Sequence, residues 1–152
     1  MDIPDYRDWE SESPGTVDED YDDAKNRWKG KSLSDVEIML KDQSIDLSSL
    51  LQDLKNMPRI PFIFYFPIVS KYMTSFTDFS FVYSRFEFFL DLQYLMRIVI
   101  HHLKTHDCAQ LWESIHDLVN FLEANIDLLD EYKDGQFSDS LVDLARLTAE
   151  AD

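Results

Sequence analysis

Four histidines and the chain's one cysteine lie close together in the sequence, and both residue types bind transition metals. They are His101, His102, His106, Cys108 and His116. Because His102 and His106 are four residues apart, a helix would place both imidazoles on one face. Cys108 or Asp107 would then complete a zinc site. The spacing matches no standard zinc pattern, however, and the helix dipole also stabilises imidazoles near a helix C-terminus. We therefore expect no metal or other cofactor, with His102, His106 and Cys108 as weak metal candidates.

The sequence lacks the motifs that support nucleophilic catalysis or phosphate binding. It has no G-x-S-x-G or H-E-x-x-H sequence, and three glycines are too few for a glycine-rich phosphate loop. A thiol–imidazole pair of Cys108 and His106 would require side chains two residues apart to face each other, which a helix does not allow. We therefore expect no catalytic residues and predict that the protein is not an enzyme.

The charged residues divide the chain into three parts. Residues 1–24 carry a net charge of −9, residues 25–110 of +2 and residues 111–152 of −9, within a total of −16. A chain this acidic is a poor ligand for nucleic acid or for an anionic membrane surface, because both are bound through Lys and Arg. The electrostatic complement of the two acidic ends is a protein partner with a basic surface.

Four carboxylates are spaced to lie on the solvent side of a helix that we predict over 112–129. They are Glu113, Asp117, Asp127 and Glu131. Like charges four residues apart destabilise a helix by about 0.2–0.5 kcal/mol per pair, and no base at helical spacing offsets them. We predict that this face binds the basic partner. The alternative is that the carboxylates serve solubility alone.

The first 24 residues show neither a helical nor a strand period, and they are too charged to collapse into a core. We therefore predict a disordered acidic arm over 1–31 that ends in a short basic patch at 25–31. One helical domain over 32–152 follows. The patch either binds or localises the protein or neutralises the arm, and we favour neutralisation.

Three aromatic residues are spaced along the arm like the anchors of a docking motif. They are Tyr6, Trp9 and Tyr21. An arm of this kind would dock to a partner or fold back as a pseudo-ligand. The alternative is a solubilising tail whose aromatic residues have no role.

Hydrophobic periodicity predicts a mostly α fold, with a single compact bundle of about five or six helices around one central apolar helix. The central helix is predicted over about 78–105, where apolar residues occupy nearly every face. A strand pair near 79–84 is the alternative for its first part. An unbroken apolar stripe over 112–129 predicts one continuous helix there.

Helix termini are predicted from capping residues and prolines. The predicted starts are Ser34 (in a capping box with Glu37), Ser44, Asp107 and Ser138. The helix after Ser44 is supported by leucines at 47, 50, 51 and 54, and it ends at Pro58.

Residues 59–69 (RIPFIFYFPIV) are the least regular part of the sequence. Pro61 and Pro67 exclude a continuous helix interior. The five large side chains between them fit a buried extended connector, a short strand or an exposed apolar lip. We favour burial in the core, because an exposed segment of this kind would be an interface or an aggregation hazard.

The composition favours a non-enzymatic protein–protein interaction module, such as an adaptor, an inhibitor or an accessory protein of the viral kind. One alternative is a structural subunit or homo-oligomer whose interface is 59–69 and the long apolar helix. The others are a nucleic-acid mimic and a metal-dependent enzyme built on the histidine cluster. With one cysteine, and with no visible signal peptide or transmembrane segment, we expect a cytoplasmic or nuclear protein that is not secreted.

Overall fold

The computed structural model describes residues 1–10, 19–43, 45–75, 85–133 and 136–151. Within these ranges the chain forms nine α-helices and one short 3₁₀-helix, with no β-strand. The prediction of a mostly α fold is therefore confirmed. The chain packs as two compact units, Met1–Tyr72 and Met73–Asp152.

The first unit contains four helices and most of a fifth. They are α1 (Tyr6–Glu10), α2 (Glu19–Trp28), α3 (Leu33–Asp42), α4 (Leu47–Lys55) and α5 (Arg59–Thr74), whose last residues pass the unit boundary. α2 packs against α4. Leu50, Leu51 and Leu54 of α4 are buried, and their spacing is the one that predicted this helix. α4 ends before Pro58, as predicted.

α1 and α2 lie within the stretch that the charge pattern predicted to be an arm. α2 buries Tyr21, Ala24 and Trp28, whose spacing of i, i+3 and i+7 places them on one helix face. Trp9 of α1 is also buried. The charge argument overlooked this aromatic stripe, because charged residues occupy most of the remaining positions of α2. For residues 11–18 the predicted disorder stays a prediction, since they lie outside the described residues.

α3 begins earlier than predicted. Ser32 is its N-cap: the Ser32 Oγ accepts from the Asp35 N–H at 3.1 Å, and Asp35 Oδ2 accepts from the Ser32 N–H at 2.9 Å. The predicted capping box of Ser34 and Glu37 is therefore wrong. The usual rule seeks Glu or Gln three residues after the cap, so it passed over Asp35. The predicted start at Ser44 lies outside the described residues.

Residues 59–69 form the first two-thirds of α5. Pro61 falls in the first turn, where a backbone N–H would have no intrahelical acceptor. Pro67 lies inside the helix and leaves the Ile63 carbonyl without its usual donor. Burial of all the residues from 62 to 66 offsets that loss. The prediction that this segment belongs to the core is confirmed, and the prediction that its prolines exclude a helix is wrong.

The second unit is organised around a long helix. Its elements are α6 (Arg85–Thr105), a 3₁₀-helix (Ala109–Leu111), α7 (Trp112–Ala124), α8 (Ile126–Lys133) and α9 (Gln136–Ala151). α6 packs mainly against α9 and also against α8. Its buried apolar residues cover about half of the helix circumference, and they are Phe88, Phe89, Leu92, Leu95, Met96, Ile98 and Val99. This is the predicted central apolar helix, and it ends at Thr105 as predicted. Its predicted start and the alternative strand pair lie outside the described residues.

The helix predicted over 112–129 is divided at Asn125. Asn125 leaves the helical conformation, with φ −117° and ψ 10°, and its side-chain Nδ2 donates to the Phe121 carbonyl at 2.8 Å. An Asn side chain that bonds nearby backbone favours helix ends over helix interiors. The apolar stripe continues through the break, with Leu122 and Leu129 both buried. Periodicity therefore predicted one helix where the chain forms two.

Candidate interaction surfaces

The four carboxylates predicted to bind a partner are all exposed on the second unit. Glu113 and Asp117 lie on α7, whereas Asp127 and Glu131 lie on α8. The division at Asn125 therefore splits the predicted face into two pairs. None of the four forms an ion pair or hydrogen bond with another side chain in the described part of the chain. Each pair keeps its i, i+4 repulsion, because no described cation relieves it.

A fifth carboxylate near this face has a structural role. Asp130 accepts two hydrogen bonds from Ser138, one from the backbone N–H at 3.2 Å and one from the hydroxyl. These bonds join α8 to the first turn of α9. They help to fix the helix that carries Asp127 and Glu131.

The three aromatic residues predicted as docking anchors lie on the first unit in contrasting environments. Trp9 is 0% exposed, and its backbone carbonyl accepts a hydrogen bond from the Tyr21 hydroxyl. Burial is the main cause that raises the pKa of Tyr21. Tyr6 is 59% exposed, and the Nζ atoms of Lys25 and Lys29 lie 5.1 and 4.9 Å from its ring centroid. In this conformation, Trp9 and Tyr21 hold α1 against α2 within the same chain, instead of docking to a partner.

The basic patch at 25–31 contacts groups of opposite charge in the same unit. Lys25 forms an ion pair with Glu10, and Arg27 Nη1 lies 2.6 Å from Asp53 Oδ2. The side-chain hydrogen bond to Glu10 is the main cause that raises the pKa of Lys25. These contacts agree with the interpretation that the patch neutralises its acidic neighbours.

Asp53 is a buried carboxylate that the sequence analysis missed. It is 4% exposed, and its Oδ2 accepts hydrogen bonds from Arg27 Nη1 at 2.6 Å and from Trp28 Nε1 at 2.9 Å. Burial raises the pKa of Asp53, and the two hydrogen bonds oppose that rise without cancelling it. The available signal was its position three residues after Leu50, which places it beside the buried face of α4. Asp53 therefore joins α4 to α2 and is not open to a partner.

The histidine cluster lies at the C-terminal end of α6. His102 and Cys108 are buried, whereas His101 is exposed. The ring centroids of His102 and His106 are 5.6 Å apart, and Cys108 Sγ lies 3.9 Å from the His102 carbonyl oxygen. The residues that the structure describes contain no group of three or more His, Cys, Asp or Glu side chains able to hold one metal ion. The weak metal candidates therefore gain no support from the geometry.

A shallow groove in the first unit was also not predicted. It has a volume of about 510 Å³ and is lined by residues of α2 and α3, by Lys31 between these helices and by Ile45. Ile38 projects into this region and is 67% exposed, because it lies on the helix face opposite the buried Val36 and Leu40. The charged lining includes both acids and bases, so the groove has no clear preference for the charge of a ligand.

Among the described residues, no helix is both long enough and apolar enough to cross a membrane. Comparisons of the chain with protein-family models, with curated proteins and with solved structures give no significant match. The case for a function therefore depends on the exposed carboxylates of α7 and α8 and on the aromatic anchors of the first unit.

Proposed function

We propose that the protein is a non-enzymatic interaction module that binds a protein partner with a basic surface through α7 and α8. The carrying observation is the exposure of Glu113, Asp117, Asp127 and Glu131 without a described cation beside them. Each i, i+4 pair of like charges destabilises its helix. Lys or Arg side chains of a partner would remove that repulsion on binding. Charge complementarity of this kind increases the association rate and selects among partners.

The overall charge supports a protein partner over nucleic acid. The chain carries a net charge of −16, and phosphate contacts require Lys and Arg. The role that fits best is that of an adaptor, an inhibitor or another accessory protein. We place it in the cytoplasm or nucleus, because a single cysteine, Cys108, suits a reducing compartment.

The proposal of a structural subunit or homo-oligomer has less support. That proposal requires residues 59–69 and the long apolar helix to be exposed as an interface. The residues from 62 to 66 are buried, and most apolar side chains of α6 are buried as well. The described parts of these two segments therefore offer no broad exposed apolar face, such as obligate interfaces have.

A charge-reversal experiment tests the acidic face. The probe is a short fluorescein-labelled peptide rich in lysine and alanine, and its affinity for the full chain is measured by fluorescence anisotropy. We expect Asp117→Lys/Asp127→Lys to weaken binding about thirtyfold, since each of the two charge contacts contributes of order 1 kcal/mol. The affinity of the wild-type chain falls as salt is added, because exposed charges are screened.

The matched control is Asp42→Lys/Asp143→Lys, which changes the net charge by the same amount at two exposed positions elsewhere. We expect this variant to bind like the wild type. An equal loss in both variants would mean that net charge drives binding, and the site assignment would be wrong. The same three proteins are then used as baits in a lysate. The partner is a protein that the wild type and the control retain and that the charge-reversed variant loses.

A further inference from the structure

The N-terminal segment contacts α2 of the first unit through one face of α1. Tyr6, Trp9 and Glu10 have i, i+3 and i+4 spacing, so they project to the same side of this short helix. Trp9 is fully buried, and the Tyr21 hydroxyl donates to its carbonyl oxygen. An aromatic anchor thus holds residues 6–10 on the unit.

Lys25 of α2 and Lys29, the residue directly after α2, contact the same segment. Lys25 forms an ion pair with Glu10, and the ammonium groups of Lys25 and Lys29 both lie over the Tyr6 ring. A ring beneath two ammonium groups is a favourable cation–π arrangement. Tyr6 itself is mostly exposed, so its ring serves this contact rather than the core. This side of α2 therefore selects an aromatic residue and a carboxylate one helical turn apart.

The fit of the segment is incomplete. The indole Nε1 of Trp9 is buried and has no hydrogen-bond acceptor among the described residues. An unsatisfied buried donor is destabilising, so a competing segment whose aromatic residue leaves no donor unsatisfied in that position would bind better. A segment of the same chain also needs little intrinsic affinity, because covalent linkage gives it a high effective concentration. The buried Trp9 side chain therefore makes the contact specific, whereas its unsatisfied Nε1 lowers the affinity and lets another segment compete.

We propose that the surface of α2 beneath α1 is a docking site for a short acidic helix of a partner protein. The partner helix carries aromatic residues at i and i+3 and a carboxylate at i+4, and residues 6–10 occupy the site in its absence. The pairing of Lys25 and Lys29 with an acidic, aromatic segment identifies this chemistry. The site differs from the acidic face of α7 and α8, which takes a basic partner, and either proposal can fail without the other.

A peptide-binding experiment on the full chain tests this proposal. The probe is a fluorescein-labelled peptide with the sequence of residues 1–10. The Trp9→Ala chain vacates the site, and we expect it to bind the probe at least about tenfold more tightly than the wild type, whose own segment competes at high effective concentration. The same peptide carrying the Trp9→Ala change is the control probe, and it is expected to bind neither protein.

Two further variants complete the test. Tyr6→Ala/Glu10→Ala weakens the internal contact but keeps the buried Trp9, so we expect a smaller increase in probe binding without loss of the fold. If circular dichroism shows that the Trp9→Ala chain is unfolded, this variant alone tests whether residues 6–10 compete with the probe. Adding Lys25→Ala to either variant is expected to reduce probe binding.

Three results would overturn the proposal. Equal binding of the probe by the wild type and by Tyr6→Ala/Glu10→Ala would show that residues 6–10 do not compete for the site. Binding that Lys25→Ala leaves unchanged would place the probe elsewhere. A wild-type dimer in light scattering that Trp9→Ala abolishes would show that the occupant is the N-terminal segment of a second copy.

Discussion

At the scale of single residues, Tyr65 shows how a polar group is accommodated in the core of the first unit. Its one hydroxyl proton is shared between two backbone carbonyls, that of Trp28 at 2.8 Å and that of Lys31 at 2.7 Å. Trp28 is the last residue of α2, and Lys31 follows that helix. Burial raises the pKa of Tyr65 to about 12. The hydroxyl therefore stays protonated, as a donor, throughout the physiological range.

We predict that Tyr65→Phe lowers the free energy of unfolding by about 1–2 kcal/mol, because the part-buried Lys31 carbonyl loses this donor and the Trp28 carbonyl keeps only the Lys31 N–H. Urea denaturation at neutral pH measures the change. Tyr6→Phe is the control, at an exposed position of the same unit that keeps its aromatic ring. An equal effect of the two substitutions would contradict a specific role for the Tyr65 hydroxyl.

Burial of Asp53 predicts how the stability of the first unit depends on pH. Because burial raises its pKa in the folded state, the folded chain holds this proton more tightly than the unfolded chain does. The contribution of this group to stability is therefore fully present below the unfolded value of 3.8 and is lost as pH rises through the folded pKa. The unfolding free energy of the wild type, measured relative to that of Asp53→Asn, should therefore fall as the pH rises from acid values. A difference for Asp53→Asn that does not change with pH would contradict the prediction.

At the scale of elements, α5 is a helix that forms in spite of an internal proline. Pro67 lacks the N–H that would bond to the Ile63 carbonyl. We predict that Pro67→Ala restores this bond and raises the free energy of unfolding by about 1–3 kcal/mol. Denaturation with urea measures the gain. No gain, or a loss, would mean that the proline ring contributes more through packing than it costs the helix.

The elements also show which sequence signals were reliable. The leucine spacing of α4 and the all-round apolar character of α6 predicted those helices, because burial of a periodic apolar face is what stabilises them. α5 was not predicted because its prolines were given more weight than the burial of its large side chains. α2 was not predicted because its charges were given more weight than its buried aromatic face. Asn125 is different again, since one side chain breaks a helix whose apolar stripe continues without interruption.

At the scale of the whole molecule, the sequence predicted that the carboxylates would be exposed, but it did not predict where the aromatic anchors would lie. Exposure of Asp117 or Glu131 follows from helical periodicity, so it could be predicted. The burial of Trp9 could not, because it depends on contacts with α2 across a stretch of chain that shows no period. Charge patterning thus identified one candidate surface, and the structure was needed for the other.

The proposed function makes a spatial claim about the molecule, namely that a basic partner binds α7 and α8. Titration of the ¹⁵N-labelled full chain with the lysine-rich peptide, followed by amide NMR spectra, tests it most directly. We predict that the shifted resonances cluster between residues 113 and 131, and that Asp117→Lys/Asp127→Lys removes those shifts. Shifts that spread over every acidic segment, or that centre on residues outside α7 and α8, would contradict the account.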